Sequence, residues 1–164
     1  MSTSRTSWGY HILALVTILV WGTTFASTKV LLTHGLTPPE IMFYRFIIAY
    51  ALTWFCSRKV LADIWTDELY LALAGFTGGT LYFLSENTAI DYSITSNVAL
   101  IVCTTPVLTV LLTSLCYKER LSRQLLVGSA VALLGVGFVV LNGTVLKIHP
   151  WGDALALVAA ISWA

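Results

Sequence analysis

Charge is what this sequence has least of. Nine Lys and Arg and eight Asp and Glu make up 10% of its 164 residues, where a soluble domain carries roughly 25%. With 57% hydrophobic residues and a mean hydropathy of +0.83, the charges are too few to cover a globule of this size. Its apolar surface must face lipid. A net charge of +1 without clustered bases excludes a nucleic-acid footprint. Glycine (11) and proline (4) follow no short period, which excludes a collagen-like chain. Cys56, Cys103 and Cys116 show neither C-x-x-C spacing nor histidine neighbours, so they read as packed side chains and not as metal ligands. The sequence contains no H-E-x-x-H, G-x-S-x-G or P-loop motif, and no paired aspartates for an intramembrane protease. These absences point away from an enzyme, and no cofactor or metal is called for. The longest polar stretch, Ser57 to Asp67, is too short for an ATPase or receptor domain.

What is present is a series of apolar runs near the ~20 residues that cross about 30 Å of hydrocarbon. They cover about His11–Leu32, Ile41–Cys56, Glu68–Asn87, Ser93–Tyr117 and Gln124–Leu141. A sixth starts at Trp151-Gly152-Asp153 and has only about 11 further residues, too few to span, so a helix cut short is expected. The apolar stretch of the first run is too long for a cleaved leader and lacks a small-residue cleavage site. The fold class is therefore an all-α membrane protein with five transmembrane helices plus a truncated sixth. Arg5, Arg58, Lys59, Lys118, Arg120 and Arg123 fall on one side, and only Lys147 falls in a loop on the other. The positive-inside rule then puts the N-terminus in the cytoplasm.

Small residues at helical spacing mark faces where helices approach closely: Gly75 and Gly79 on the third span, with Gly78 alongside, and Gly128, Ala132 and Gly135 on the fifth. Ala156 and Ala160 repeat the spacing on the sixth. Ionisable groups inside a bilayer are costly and mark function or pairing. Lys29 lies near the outer surface and can snorkel to it. Arg45 is deeper, and Glu86, which closes the third span, is the intramembrane acid at comparable depth, with Tyr82 and Gly79 on its face. The pair is expected to meet, either as a structural ion pair or in a polar cavity. On the fourth span Ser93, Asn97 and Thr104 share one face, and Pro106 should kink the helix by clashing with the Val102 carbonyl. Trp21, Thr24, Phe25 and Thr28 form a stripe on the first span that fits packing and also fits a path lining.

Trp21-Gly22-Thr23-Thr24-Phe25 followed by Lys29 resembles the first-helix signature of the EamA family of drug/metabolite transporters. Pro38 through Tyr44-Arg45-Phe46 resembles the opening of its second helix, and Asn87-Thr88-Ala89-Ile90 with Ser96 to Pro106 its third-to-fourth hairpin. Glu119-Arg120-Leu121 with Gly128 and Gly135, and Trp151 through Leu157 with Ser162-Trp163-Ala164, are similar to its later segments. The resemblance implies half of a ten-helix, inverted-repeat transporter. Residues 1–10 would be a cytoplasmic N-terminus, 11–142 the first five-helix repeat, 143–150 an external loop and 151–164 the start of the second repeat. It further implies a secondary transporter exporting small organic metabolites, amino-acid or drug-like, across the bacterial inner membrane by alternating access. Its partners would be the lipid bilayer, a small-molecule substrate and the missing C-terminal repeat or a second chain, with no nucleic acid. The expected path residues are Trp21, Thr24, Arg45, Tyr82, Glu86, Asn97 and Thr104, with Pro106 bending the fourth helix. A non-transporting membrane assembly subunit is the alternative.

Overall fold

A computed structural model describes residues 8–56, 65–118, 122–141 and 148–164. Every regular element among them is helical. The helices are α1 (Trp8–Thr33), α2 (Pro38–Cys56), α3 (Trp65–Ala74), α4 (Tyr82–Tyr92), α5 (Thr95–Val102), α6 (Thr105–Tyr117), α7 (Arg123–Leu141) and α8 (Pro150–Trp163). A π-helical segment, Gly75–Leu81, joins α3 to α4 without a break, so one continuous rod runs from Trp65 to Tyr92. Two stretches are long and apolar enough to cross a bilayer outright, Trp8–Thr33 and Thr95–Cys116. Arg5, Arg58, Lys59, Arg120 and Lys147, which set the expected orientation, lie outside the described residues.

Local chemistry sets the helix ends. α1 stops in a Schellman motif: the Leu36 N–H donates to the Leu31 carbonyl at 3.2 Å and the Gly35 N–H to Leu32 at 3.1 Å. Gly35 takes the positive φ of 93° that the motif needs and that a Cβ would disfavour. Two residues later Thr37 and Glu40 open α2 as a capping box with Pro38 at the first helical position. The Thr37 N–H and hydroxyl donate to Glu40 Oε2 at 2.8 and 2.7 Å, and these bonds hold the exposed Glu40 carboxyl below its ordinary value. Their contribution is present above the unfolded-state pKa and is lost as pH falls through the lowered one.

The expected break at Pro106 is present and falls at Cys103–Thr104, between α5 and α6. Proline has no N–H to give the Val102 carbonyl. The Thr105 hydroxyl takes over that role, donating to Val102 O at 2.6 Å in a buried position. A π-helix inside the third rod was not expected. The Tyr82 N–H reaches five residues back to the Thr77 carbonyl, and this widening sits where Gly75, Gly78 and Gly79 cluster.

The core lies where α8 meets α4. Tyr82, Ala89, Ile90, Val98, Val102, Ala156 and Ala159 form one buried cluster, flanked by Phe25 and Leu32 of α1 and by Phe83, Ile101 and Leu155. Between helices in lipid no hydrophobic drive exists, so association depends on close dispersion contact, which small residues permit. α8 supplies Gly152, Ala156, Ala159 and Ala160, all buried. At Gly152 the approach is closest: an added Cβ would stand 2.5 Å from Ser93 Cβ and 2.9 Å from Ser93 N. Gly79 meets Phe46 at an ordinary 3.5 Å, while a Cβ on Gly75, Gly128 or Gly135 would meet nothing within 4 Å. Among the described residues, the close packing expected at those three positions is therefore not made.

Gly152→Ala should lower stability by about 1–3 kcal/mol through overpacking against Ser93 backbone atoms. Gly135→Ala should change it by less than about 1 kcal/mol, since the methyl enters open space. Thermal unfolding in detergent checks both.

Candidate functional site

Among the described residues, Lys29 and Arg45 bond to backbone and hydroxyl oxygens, and Glu86 to a hydroxyl, with no ion pair between them. Arg45 of α2 crosses to α1, donating from Nη2 to the Thr28 hydroxyl at 2.7 Å and the Thr24 carbonyl at 3.2 Å. Thr28 is buried and its hydroxyl donates in turn to the Thr24 carbonyl at 2.8 Å. Glu86 instead accepts from the Tyr82 hydroxyl at 2.7 Å, one turn back on the same helix. Among the described residues no ion pair joins Arg45 to Glu86, which corrects the expected contact. The rotation of α2 aims the guanidinium at α1, and the carboxylate already has a buried donor.

Two further expectations change. Glu86 does not close its helix, because α4 continues to Tyr92 and leaves the carboxylate about 9 Å inside the end. It is 2% exposed. Lys29 does not reach freely for the surface: its ammonium donates to the Ile90 carbonyl at 2.7 Å, in the last turn of α4. A cation there meets the negative end of the helix dipole and an otherwise orphaned carbonyl. Nearby, Asn87 is fully buried; its amide donates to the Pro38 carbonyl at 3.4 Å, and its Oδ1 has no partner.

Beside this polar layer lies a cavity of about 490 Å³. Its aromatic wall is Trp21 and Phe25 from α1, Tyr82 from α4 and Trp163 from α8. The Tyr82 and Trp163 rings lie 4.8 Å apart between centroids, and Trp21 and Trp163 5.9 Å apart. The break before Pro106 supplies the other side, with Thr105, Pro106 and Thr109, while Ala132 comes from α7. Tyr82 is thus the hinge between two environments, its ring on the cavity and its hydroxyl on the buried Glu86 carboxylate.

Of the residues expected along the path, Trp21 and Tyr82 line this cavity, and so does Pro106, which was expected only to bend the fourth helix. Thr24, Arg45, Glu86, Asn97 and Thr104 do not. Thr24 and Thr104 return their hydroxyls to the Trp21 and Ile101 carbonyls, at 2.7 and 2.6 Å, and Asn97 is buried on α5. Sequence reading missed Trp163, Thr105 and Thr109 as lining. The signal for the threonines was their i, i+4 spacing on either side of Pro106. Among the described residues, no group of three His, Cys, Asp or Glu is placed to hold a metal ion.

The Tyr82–Glu86 bond should show as a coupling energy. Tyr82→Phe should cost about 1.5–3 kcal/mol with Glu86 present and clearly less in a Glu86→Leu background, measured by unfolding in detergent. Equal costs in both backgrounds would mean the hydroxyl contributes nothing to holding Glu86.

The sequence matches the model of the EamA-like transporter family over residues 8–141. It is 29% identical over 160 residues to a protein of Archaeoglobus fulgidus named only as an uncharacterized transporter, covering 94% of this chain and 54% of that one. A probable amino-acid metabolite efflux pump of Escherichia coli is 31% identical over 159 residues, covering 93% and 50%. Its namesake in Salmonella typhimurium is 32% identical over 158 residues, with the same coverage. This chain spans about half the length of these relatives. No solved structure matches. A helical chain with a lipid-compatible surface, matched by the family model over most of its length, belongs to the EamA-like transporter family.

Proposed function

We propose that this chain forms the first half of a secondary transporter that exports small organic metabolites across the bacterial inner membrane by alternating access. The observation that carries the reading is the open-sided cavity of about 490 Å³ between the helices, within the roughly 300–1,000 Å³ range of small-molecule sites. The efflux-pump names of two relatives support the export direction and an amino-acid-like cargo. In this reading the N-terminus is cytoplasmic and five spans form the first repeat. α8 opens a second, inverted repeat that the C-terminal half, or a second chain, completes, giving ten helices. Substrate sites in such folds lie between the repeats.

The residues divide the work by chemistry. The aromatic wall desolvates and holds the apolar body of the cargo. Glu86, reached through the Tyr82 hydroxyl, is the candidate proton carrier: taking up a proton would free Tyr82 to turn its hydroxyl toward the cargo, and releasing it would draw the hydroxyl back. Arg45 keeps the neighbourhood from carrying a lone negative charge, and so serves the site without touching cargo.

The test is flux in proteoliposomes containing the full-length protein. A Cβ at Gly22, on the cavity wall, meets nothing within 4 Å, so a side chain can be started there and fill the cavity. Gly22→Trp should therefore abolish efflux of amino-acid substrates while leaving the melting temperature within a few degrees of the parent. Flux no greater than in empty liposomes, across a broad panel of amino acids and related metabolites, would favour the non-transporting assembly subunit.

A further inference from the structure

The two tryptophans of the cavity occupy equivalent positions in the two repeats. Leu13-Ala14-Leu15-Val16 of α1 recurs as Leu155-Ala156-Leu157-Val158 of α8, and the same offset of 142 carries Trp21 onto Trp163. Five of the ten residues from 13 to 22 are identical to their counterparts from 155 to 164.

The helix register independently brings these same two residues together. α1 runs parallel to α4: Lys29 bonds Ile90, 61 residues on, and Trp21 shares the cavity with Tyr82, also 61 on. α8 runs antiparallel to α4, since Gly152 meets Ser93 and Trp163 meets Tyr82, pairs with a constant sum of 245. α1 and α8 are therefore antiparallel, and level residues on them sum to 184. Only one pair is both level, with a sum of 184, and repeat-equivalent, with a difference of 142: Trp21 and Trp163. Their rings are 5.9 Å apart. Two inverted repeats are related by a two-fold axis in the membrane plane, and the equivalent residues that touch each other mark where that axis passes.

We propose that the cavity is a binding site for a planar aromatic ring, seated against Trp21 and Trp163 at the two-fold seam, which makes aromatic compounds the substrate class. This rests on the transport reading above. Tyr82 extends the wall, 4.8 Å from Trp163, and the three rings meet at tilts of 46° and 49°, so the cluster presents ring edges and faces to an incoming ring. No Lys, Arg, Asp or Glu lines the cavity among the described residues, so the ring and not a charge is what these walls recognise. Arg45 and Lys29 hold protein oxygens elsewhere.

The test is calorimetric titration of the purified full-length protein with two alcohols of matched skeleton, 2-naphthylmethanol and its fully saturated decahydro analogue. The aromatic probe should bind roughly 2- to 12-fold more tightly than the saturated one, the range an aromatic pair contributes beyond its buried area. Trp21→Leu and Trp163→Leu should each reduce that preference, and Trp21→Phe and Trp163→Phe should keep most of it. Equal affinities for the two probes, no binding of the aromatic probe, or a preference unchanged in both leucine variants would each overturn the proposal. The leucine variants must melt like the parent; where one does not, the phenylalanine variant and the parent's probe ratio decide. Flux without ring preference would sink this inference and leave transport standing, while ring preference without flux would leave the ring-binding site and sink transport, and with it the assignment of a substrate class.

Discussion

The close antiparallel approach of α8 to α4 is the constraint on which the other features depend. At one end the absent side chain of Gly152 lets α8 come down onto Ser93, whose hydroxyl donates to Asp153 Oδ1 at 2.7 Å. The other carboxylate oxygen of Asp153 accepts the His149 N–H at 3.0 Å, so one side chain caps its own helix and docks it. Eleven residues further on, Trp163 is delivered beside Tyr82 and within 3.9 Å of a Cβ at Gly78. A bulkier residue at 152 would lift α8, and the aromatic wall would come apart at its far end.

The polar groups follow a second rule that lipid imposes. A charge that cannot reach water takes whatever oxygen is near, and in a helical bundle the nearest oxygens belong to helix ends and hydroxyls. Lys29 takes the end of α4, Arg45 takes Thr28 and the Thr24 carbonyl, and Glu86 takes Tyr82. These bonds tie α1 to α2 and to α4, and so fix the wall that carries Trp21 and Phe25. The cavity itself stays free of charge while a carboxylate lies one hydroxyl behind it.

Much of this was legible in the sequence because it is local. The ends of α1 and α2 follow from Gly35 and from Thr37-Pro38-Pro39-Glu40, and the break at Cys103–Thr104 follows from Pro106, each within a turn or two of its cause. Length and hydropathy were enough to lay out the helices. Depth and rotation were not local, and there the reading failed. Arg45 and Glu86 are at compatible heights, but a partner depends on which way α2 is turned, and no pattern of apolar residues resolves 100° of rotation on a helix surrounded by lipid. Glu86 was set at a helix end because the third apolar run was expected to stop near Asn87, yet α4 runs on to Asp91 and Tyr92, its exposed final residues. Trp163 was noticed as part of a motif, but its place on the cavity comes from the α4–α8 register, which the sequence does not print. The 142-residue offset between the two tryptophans was on the page and gained its meaning only with that register.

The antiparallel register of α4 and α8 is therefore the claim to test most directly, by disulfide cross-linking of the full-length protein in membranes. In a background with Cys56, Cys103 and Cys116 replaced by serine, cysteines at Ala89 and Ala156 share the 245 sum and both positions are buried in the core. Mild oxidation should join that pair rapidly, and should leave a pair at Ala89 and the exposed Ile161 unjoined. Joining of Ala89 to Ile161 in preference to Ala156 would contradict the register, and with it the meeting of Trp21 and Trp163.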